Sequence, residues 1–251
     1  MAKTSPNSSV ADQWPGSSVR GPLRETPRNF DDVKFGFSGI RARYREHPGR
    51  MLRNIDPFSL ETILFATPLQ YENWLDRRFD PAIVYVDPSR DSWEVIHHGQ
   101  LLTICPHLHW AGWSDKGVLE MVVEPGREGS YEVLETAEIV AKAHGMKASL
   151  RLAADVRCDP ARLDLLDRIR QLLVVHADVV RDQGARSYVL RALKDESLGS
   201  RGAVMSACIG APHHLSREAV DAMLFWLRRL GSIHFEIVGG RYDDRTAITA
   251  A

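Results

Sequence analysis

The stretch GVLEMVVEPGREGSYEVLETAEIVAKAHGMKASLRLA, Gly117–Ala153, decides the fold class. Val118–Val123 is a short apolar run that reads as a buried strand. Ser130 can cap a helix whose Val133, Ala137, Val140 and Ala141 recur at helical spacing. Gly145 ends that helix, since glycine accepts the left-handed conformation of a helix stop. Ala148–Ala153 reads as the next strand. Strand, helix and strand in about 35 residues is a βαβ unit, so residues 54–180 are expected to be α/β.

Upstream, Phe58–Thr67 and Gln70–Arg78 read as a helical region broken near Pro68. Ile83–Val86 and Ser92–Leu102 read as strands, the second rich in Trp, Val and Ile. Leu101–Ile104 reads as a buried strand, and WAGWSDKG (110–117) as a loop or hairpin. Downstream, Asp159 caps a helix with Pro160 at its first position, and Leu163, Leu166, Ile169 and Leu173 make its apolar face. The last 65 residues change character. Ser187–Lys194 and Ser200–Cys208 read as helices. Ser216 caps a third, with Leu215 stapled onto Val220, a stripe of Val220, Met223, Leu224, Leu227 and Leu230, and a stop at Gly231. Ile233–Val238 and Thr246–Thr249 read as strands around the turn GGRYDD. Three helices and a two-stranded wing are the order of a winged helix, a fold that commonly sets a helix on DNA. Residues 185–251 are therefore expected to be a winged-helix domain. The cations Arg228, Arg229, Arg241 and Arg245 are its candidate DNA contacts.

The composition sets the outer bounds. The chain has 251 residues, 44% hydrophobic and 26% charged, which is ordinary for a globular protein with a sizeable core. The net charge is −1, but it is unevenly placed. Residues 1–50 hold nine Lys/Arg and five Asp/Glu, residues 51–180 hold 13 and 20, and residues 181–251 hold ten and eight. Basic ends permit contact with nucleic acid without requiring it. Residues 1–36, rich in Ser, Pro, Asn, Gly and Arg, are expected to be a disordered arm. Cys105, Cys158 and Cys208 are too few and scattered for a disulfide framework. With no apolar signal core and no run long enough to span a bilayer, a cytoplasmic location without membrane contact is expected.

The motifs GRMLR (Gly49–Arg53), PLQYENWLDRRFDPAIV (Pro68–Val84), CPHLHW (Cys105–Trp110) and GVLEMVVEPG (Gly117–Gly126), followed by the terminal wing, stand in a telling order. Over about residues 40–250 this arrangement resembles TnsA-type endonucleases, the restriction-enzyme-like subunits of heteromeric TnsABC-type transposases. The resemblance implies a restriction-endonuclease-like core of the PD-(D/E)xK type over residues 37–180. It also implies hydrolysis of one DNA strand at each transposon end by water activated on Mg²⁺ held by carboxylates, with a transposase and an AAA+ ATPase as partners.

The matching catalytic positions are substituted. The helix acid corresponds to Gln70, the metal-binding Asp to His107, the strand acid to Val122 and the lysine to Glu124. Gln offers only a neutral carbonyl, Val offers nothing, and His is softer than Mg²⁺ prefers. Glu61, Glu72 and Glu120 are possible surrogates; Glu120, Val122 and Glu124 share one strand face. No metal and no cofactor are therefore expected, with Mg²⁺ required only if the nuclease is active after all. The favoured reading is a DNA-associated, non-catalytic accessory subunit. An active divergent metal-dependent endonuclease and a winged-helix transcription regulator are the alternatives.

Other candidates have plainer readings. Cys105, His107 and His109 alternate along one face but lack an evident fourth ligand for Zn²⁺. The adjacent pairs His97–His98 and His213–His214 diverge and chelate poorly. Trp93, Trp110 and Trp113 read as core packing before base stacking. Arg41 and Arg43, in the basic run RARYREHPGR, are candidate DNA contacts with a solvated face as the plainer alternative. No GxGxxG, P-loop or GxSxG motif is present.

Overall fold

The computed structural model describes residues 34–36, 52–88, 92–97, 100–104, 106–113, 117–123, 130–195, 199–209 and 215–251. In chain order the elements are β1 (Lys34–Gly36), β2 (Leu52–Ile55), β3 (Thr62–Phe65), α1 (Pro68–Arg78), β4 (Ile83–Pro88), β5 (Ser92–His97), β6 (Gln100–Ile104), β7 (Leu108–Gly112), β8 (Val118–Val123), α2 (Ser130–Ala143) and β9 (Lys147–Leu152). There follow α3 (Ala153–Val156), α4 (Pro160–Val175), α5 (Ala177–Arg181), α6 (Gln183–Asp195), α7 (Arg201–Cys208), α8 (Arg217–Arg229), β10 (Ile233–His234) and β11 (Thr249–Ala250). The chain is mixed α/β and divides into two compact units, one built on Ala82–Arg151 and the other on residues 52–81 with Leu152–Ala251. Among the described residues no helix is long and apolar enough to cross a membrane.

The first unit contains a four-stranded mixed sheet in the order β4-β7-β8-β9. β7 runs antiparallel to both β4 and β8, and α2 carries the chain from β8 to its neighbour β9, the crossover expected from the βαβ pattern. Leu119 and Met121 of β8 are buried with Ala137, Val140 and Ala141 of α2, and Leu134, Met146, Ala148 and Leu150 pack against them. Gly145, with φ +70°, stops α2. A second, antiparallel sheet has the order β1-β5-β6. Its first strand, Lys34–Gly36, lies within the stretch 1–36 expected to be an arm; pairing with β5 satisfies its backbone groups.

One expectation fails in the first unit. Ser92–Leu102 is two strands rather than one, paired from Trp93↔Ile104 to His97↔Gln100. Of WAGWSDKG, expected as a loop or hairpin, Trp110–Gly112 is the end of β7, which pairs antiparallel with β8 from Leu108↔Glu120 to Trp110↔Val118, so the hairpin is the alternative that holds.

The second unit begins with the antiparallel hairpin β2–β3, from Leu52↔Phe65 to Ile55↔Thr62. Thr62–Phe65 is therefore a strand where a helix was expected. Its buried residues, Ile63 and Phe65, alternate with period two. α8 is the hub, packing against α4, α5, α6, α7 and β10. Eight of its residues are buried, including Val220, Met223, Leu224 and Leu227, while Leu230, expected on the same stripe, is exposed as the C-cap. The boundary expected between residues 180 and 185 falls inside this unit, because α4 and α5 pack on the same hub as α6 and α7. The two terminal strands are shorter than expected, joined by Ile233↔Ala250 and His234↔Thr249.

Candidate functional site

α1 places Gln70 by its capping. Thr67 is the N-cap and Pro68 opens the helix; the Thr67 hydroxyl accepts from the Gln70 N–H at 3.2 Å. The Gln70 Oε1 then accepts from the Ala66 N–H at 3.0 Å. Gln70 is buried, and its side chain folds back over the start of its own helix onto the residue before the N-cap. Glu72, on the same helix, pairs with Arg157 at 2.6 Å, and Glu61 is exposed just before β3. These three belong to the second unit, whereas His107, Glu120 and Val122 belong to the first.

His107 stands one residue before β7 and is woven into the β7–β8 step. Its N–H donates to the Glu120 carbonyl at 2.8 Å, and its Nδ1 accepts from the Val122 N–H at 2.8 Å. That bond requires the Nδ1 lone pair, so this nitrogen is committed to backbone. Glu120 is 0% exposed, and the Trp110 indole N–H donates to its Oε2 at 3.0 Å. Val122 is buried, and Glu124 lies outside the described residues.

This donor set does not fit Mg²⁺, which demands several open oxygen ligands in near-octahedral geometry. Among the described residues no three His, Cys, Asp or Glu side chains gather where they could hold a metal. His109 is buried within β7. Cys105, His98, His213 and His214 lie outside the described residues, as do the side chains of Trp93 and His97. Trp110 is half-buried with its N–H on Glu120, while Trp113 is 79% exposed.

The four C-terminal arginines separate into two kinds. Arg241 and Arg245 are exposed around the terminal turn. Arg228 and Arg229 are held inward at the end of α8. The Arg228 Nε donates to the Phe235 carbonyl at 2.9 Å, and one terminal nitrogen donates to the Phe79 carbonyl at 3.0 Å. Its guanidinium lies 5.0 Å from the Phe235 ring centre, and burial, then Arg162, lowers its pKa. Arg229 sits 5.8 Å from the Phe58 ring centre. Burial and then the neighbouring Arg78 bring its pKa down to about 10. On α8 only Arg217 and Glu218 are exposed, so the helix offers no free face for a groove. Arg41 and Arg43 lie outside the described residues.

Two polar clusters went unread in the sequence. Arg201 grips Asp221 through two bonds of 2.8 and 2.7 Å and also reaches Asp244, which Arg217 holds at 2.8 Å. The Asp221 bond keeps Arg201 above its usual pKa. Tyr242 lies under Arg201 at 4.9 Å; burial, then Asp221, pushes its phenol well up. This network ties the terminal turn to α7 and α8. In the second cluster the Tyr71 hydroxyl donates to Asp167, which also accepts from Arg170 at 2.9 Å and Gln171 at 3.0 Å. Burial and the Asp167 bond raise the Tyr71 pKa. The three-and-four spacing of Asp167, Arg170 and Gln171 on α4 was the available signal for the second cluster. An acid inside the apolar stripe of α8 was the signal for the first.

No protein-family model matches the chain, and no curated protein matches it.

Proposed function

We propose that the chain is a nuclease-inactive scaffold of restriction-endonuclease type, acting as a DNA-associated accessory subunit of heteromeric transposition machinery. It would dock to a transposase or AAA+ regulator and to DNA. The observation that carries this reading is the β7–β8 step. A mixed sheet in the order β4-β7-β8-β9 with a crossover helix is compatible with the α/β core that the resemblance implies. At the same step, His107 is committed to the Val122 backbone and the Glu120 carboxylate is closed under Trp110. A mixed sheet whose donors serve packing supports the reading of a retained scaffold with a retired site.

DNA contact is assigned to the exposed cations of the terminal turn, Arg241 and Arg245, rather than to α8. A regulator reading the major groove with α8 is disfavoured by the burial of that helix.

The test combines plasmid nicking with duplex binding. Supercoiled plasmid incubated with the chain in Mn²⁺, with transposase and ATPase present, should stay intact. Nicking that Glu120→Gln abolishes would establish the active-endonuclease alternative instead. Duplex affinity should fall with salt, with a log–log slope of about −0.9 per phosphate neutralised. Arg241→Ala with Arg245→Ala should flatten that slope by about two units. An unchanged slope would remove the terminal turn from the DNA interface.

A further inference from the structure

We propose that the exposed face of α6, with Arg191 and Lys194 as its charged contacts, lies against the phosphate backbone of a nucleic-acid duplex. The inference rests on the DNA association proposed above and deepens it by adding a second contact surface.

Amphipathic spacing divides α6 into two faces. Ala185, Val189, Ala192 and Leu193 are buried. Gln183, Ser187, Arg191 and Lys194 are exposed, and their three-and-four spacing sets them along one line of about 16 Å. From Gln183 to Lys194 the helix carries Arg186, Arg191 and Lys194 and no Asp or Glu. Among the described residues none of these three cations forms an ion pair. The Arg186 guanidinium, on the flank, donates to the Arg181 carbonyl at 3.3 Å, a neutral acceptor. Asp182, just before the helix, holds its carboxylate at the N-terminus, where it accepts from the Ala185 N–H at 2.6 Å. The exposed face is thus positive and carries no counter-charge of its own.

What the face offers selects the kind of partner. All four side chains on the line can donate a hydrogen bond. No large apolar side chain of α6 is exposed, so the apolar centre of a protein–protein interface is missing. Arg, Lys, Ser and Gln are side chains that bond phosphate oxygens and fix a protein on a duplex without reading its bases. Position agrees with chemistry. α6 packs on β11. The Arg201 N–H donates to the Thr246 carbonyl at 2.9 Å, and the Ile248 N–H to the Gly199 carbonyl at 3.1 Å. These bonds set the stretch just after Arg245 beside the one that links α6 to α7.

The test titrates a fluorescently labelled DNA duplex with the full chain, read by anisotropy across a salt series. Arg191→Gln with Lys194→Gln should flatten the log–log salt slope by about two units, and equally on duplexes of unrelated sequence. Arg168→Gln, at an exposed cation of α4, should leave the slope unchanged. The charge-preserving exchange, Arg191→Lys with Lys194→Arg, should keep it too. Melting curves should match the wild type, since the substituted side chains are exposed. If the double variant unfolds, Lys194→Gln alone decides, through a flattening of about one unit. A slope unmoved by the α6 variants overturns the inference and leaves the DNA association standing. Absence of duplex binding by the wild type overturns both. A flattening that Arg168→Gln reproduces marks a general charge effect and also overturns the inference.

Discussion

Arg228→Ala should destabilise the second unit, although Arg228 lies off the apolar stripe of α8. Truncation leaves the Phe79 and Phe235 carbonyls without their guanidinium donors. A bond from a charged donor contributes about 1.5–3 kcal/mol, and the stacking on Phe235 about 0.5–1 kcal/mol. Against this, removing a half-buried cation recovers part of its desolvation cost. The net expectation is a loss of about 2–3 kcal/mol, comparable with the lower range for Leu227→Ala, a buried-leucine truncation costing about 2–5 kcal/mol. In a chain of this length each kcal/mol moves Tm by about 2–4 °C, so Arg228→Ala should melt roughly 5–10 °C below the wild type. Thermal and urea denaturation followed by tryptophan fluorescence would measure it. Arg245→Ala, at an exposed residue, is the control and should stay within about 0.5 kcal/mol. If Arg228→Ala does the same, the bonds to the Phe79 and Phe235 carbonyls do not hold α8 to the end of α1 and to the segment after β10, and Arg228 is a surface cation as its position off the stripe suggests.

Two further outcomes follow from local geometry. Gly240 has φ +66°, and an added Cβ would lie 2.6 Å from the Ala161 carbonyl carbon and 2.8 Å from the Arg162 nitrogen. Gly240→Ala should therefore cost well over the about 1–2 kcal/mol of the left-handed conformation alone, whereas Gly145→Ala, at φ +70° with open space around it, should cost only that much in a denaturant titration. The Asp167 carboxyl, although burial alone would raise it, is held below the usual value of 3.8 by bonds from Tyr71, Arg170 and Gln171. A depressed folded pKa stabilises above the unfolded value and is lost as pH falls through the folded one. Stability should thus decline below about pH 4, and Tyr71→Phe should flatten that decline in pH-dependent melts; an unaltered acid limb would exclude this cluster as its source.

The readable parts of the chain were those set by neighbours in sequence. The caps Asp159 and Ser216, the stop at Gly145 and the face Leu163, Leu166, Ile169 and Leu173 lie where spacing put them, with Asp159 and Ser216 accepting from the N–H groups of Arg162 and Ala219. Capping and amphipathic periodicity act within a turn or two, so local residues suffice to specify them. The βαβ run of Gly117–Ala153 was legible for the same reason.

What the tertiary structure decided is which groups those elements bring together. Gln70 was legible as a missing acid, but its fold back over the start of α1 depends on the Ala66 N–H it accepts from. His107 and Glu120 are 13 residues apart in the sequence; only β7–β8 pairing makes one a backbone acceptor and places the other under Trp110. Arg228 read as a surface cation because periodicity reports the face of one helix. The end of α1, about 150 residues earlier, supplies one of its carbonyl partners. Sequence alone determined where helices begin, end and turn an apolar face, because those are short-range energies. Which polar atoms are closed, paired or left facing solvent was decided by long-range packing, because hydrogen bonding and desolvation depend on whatever else the fold delivers to that point.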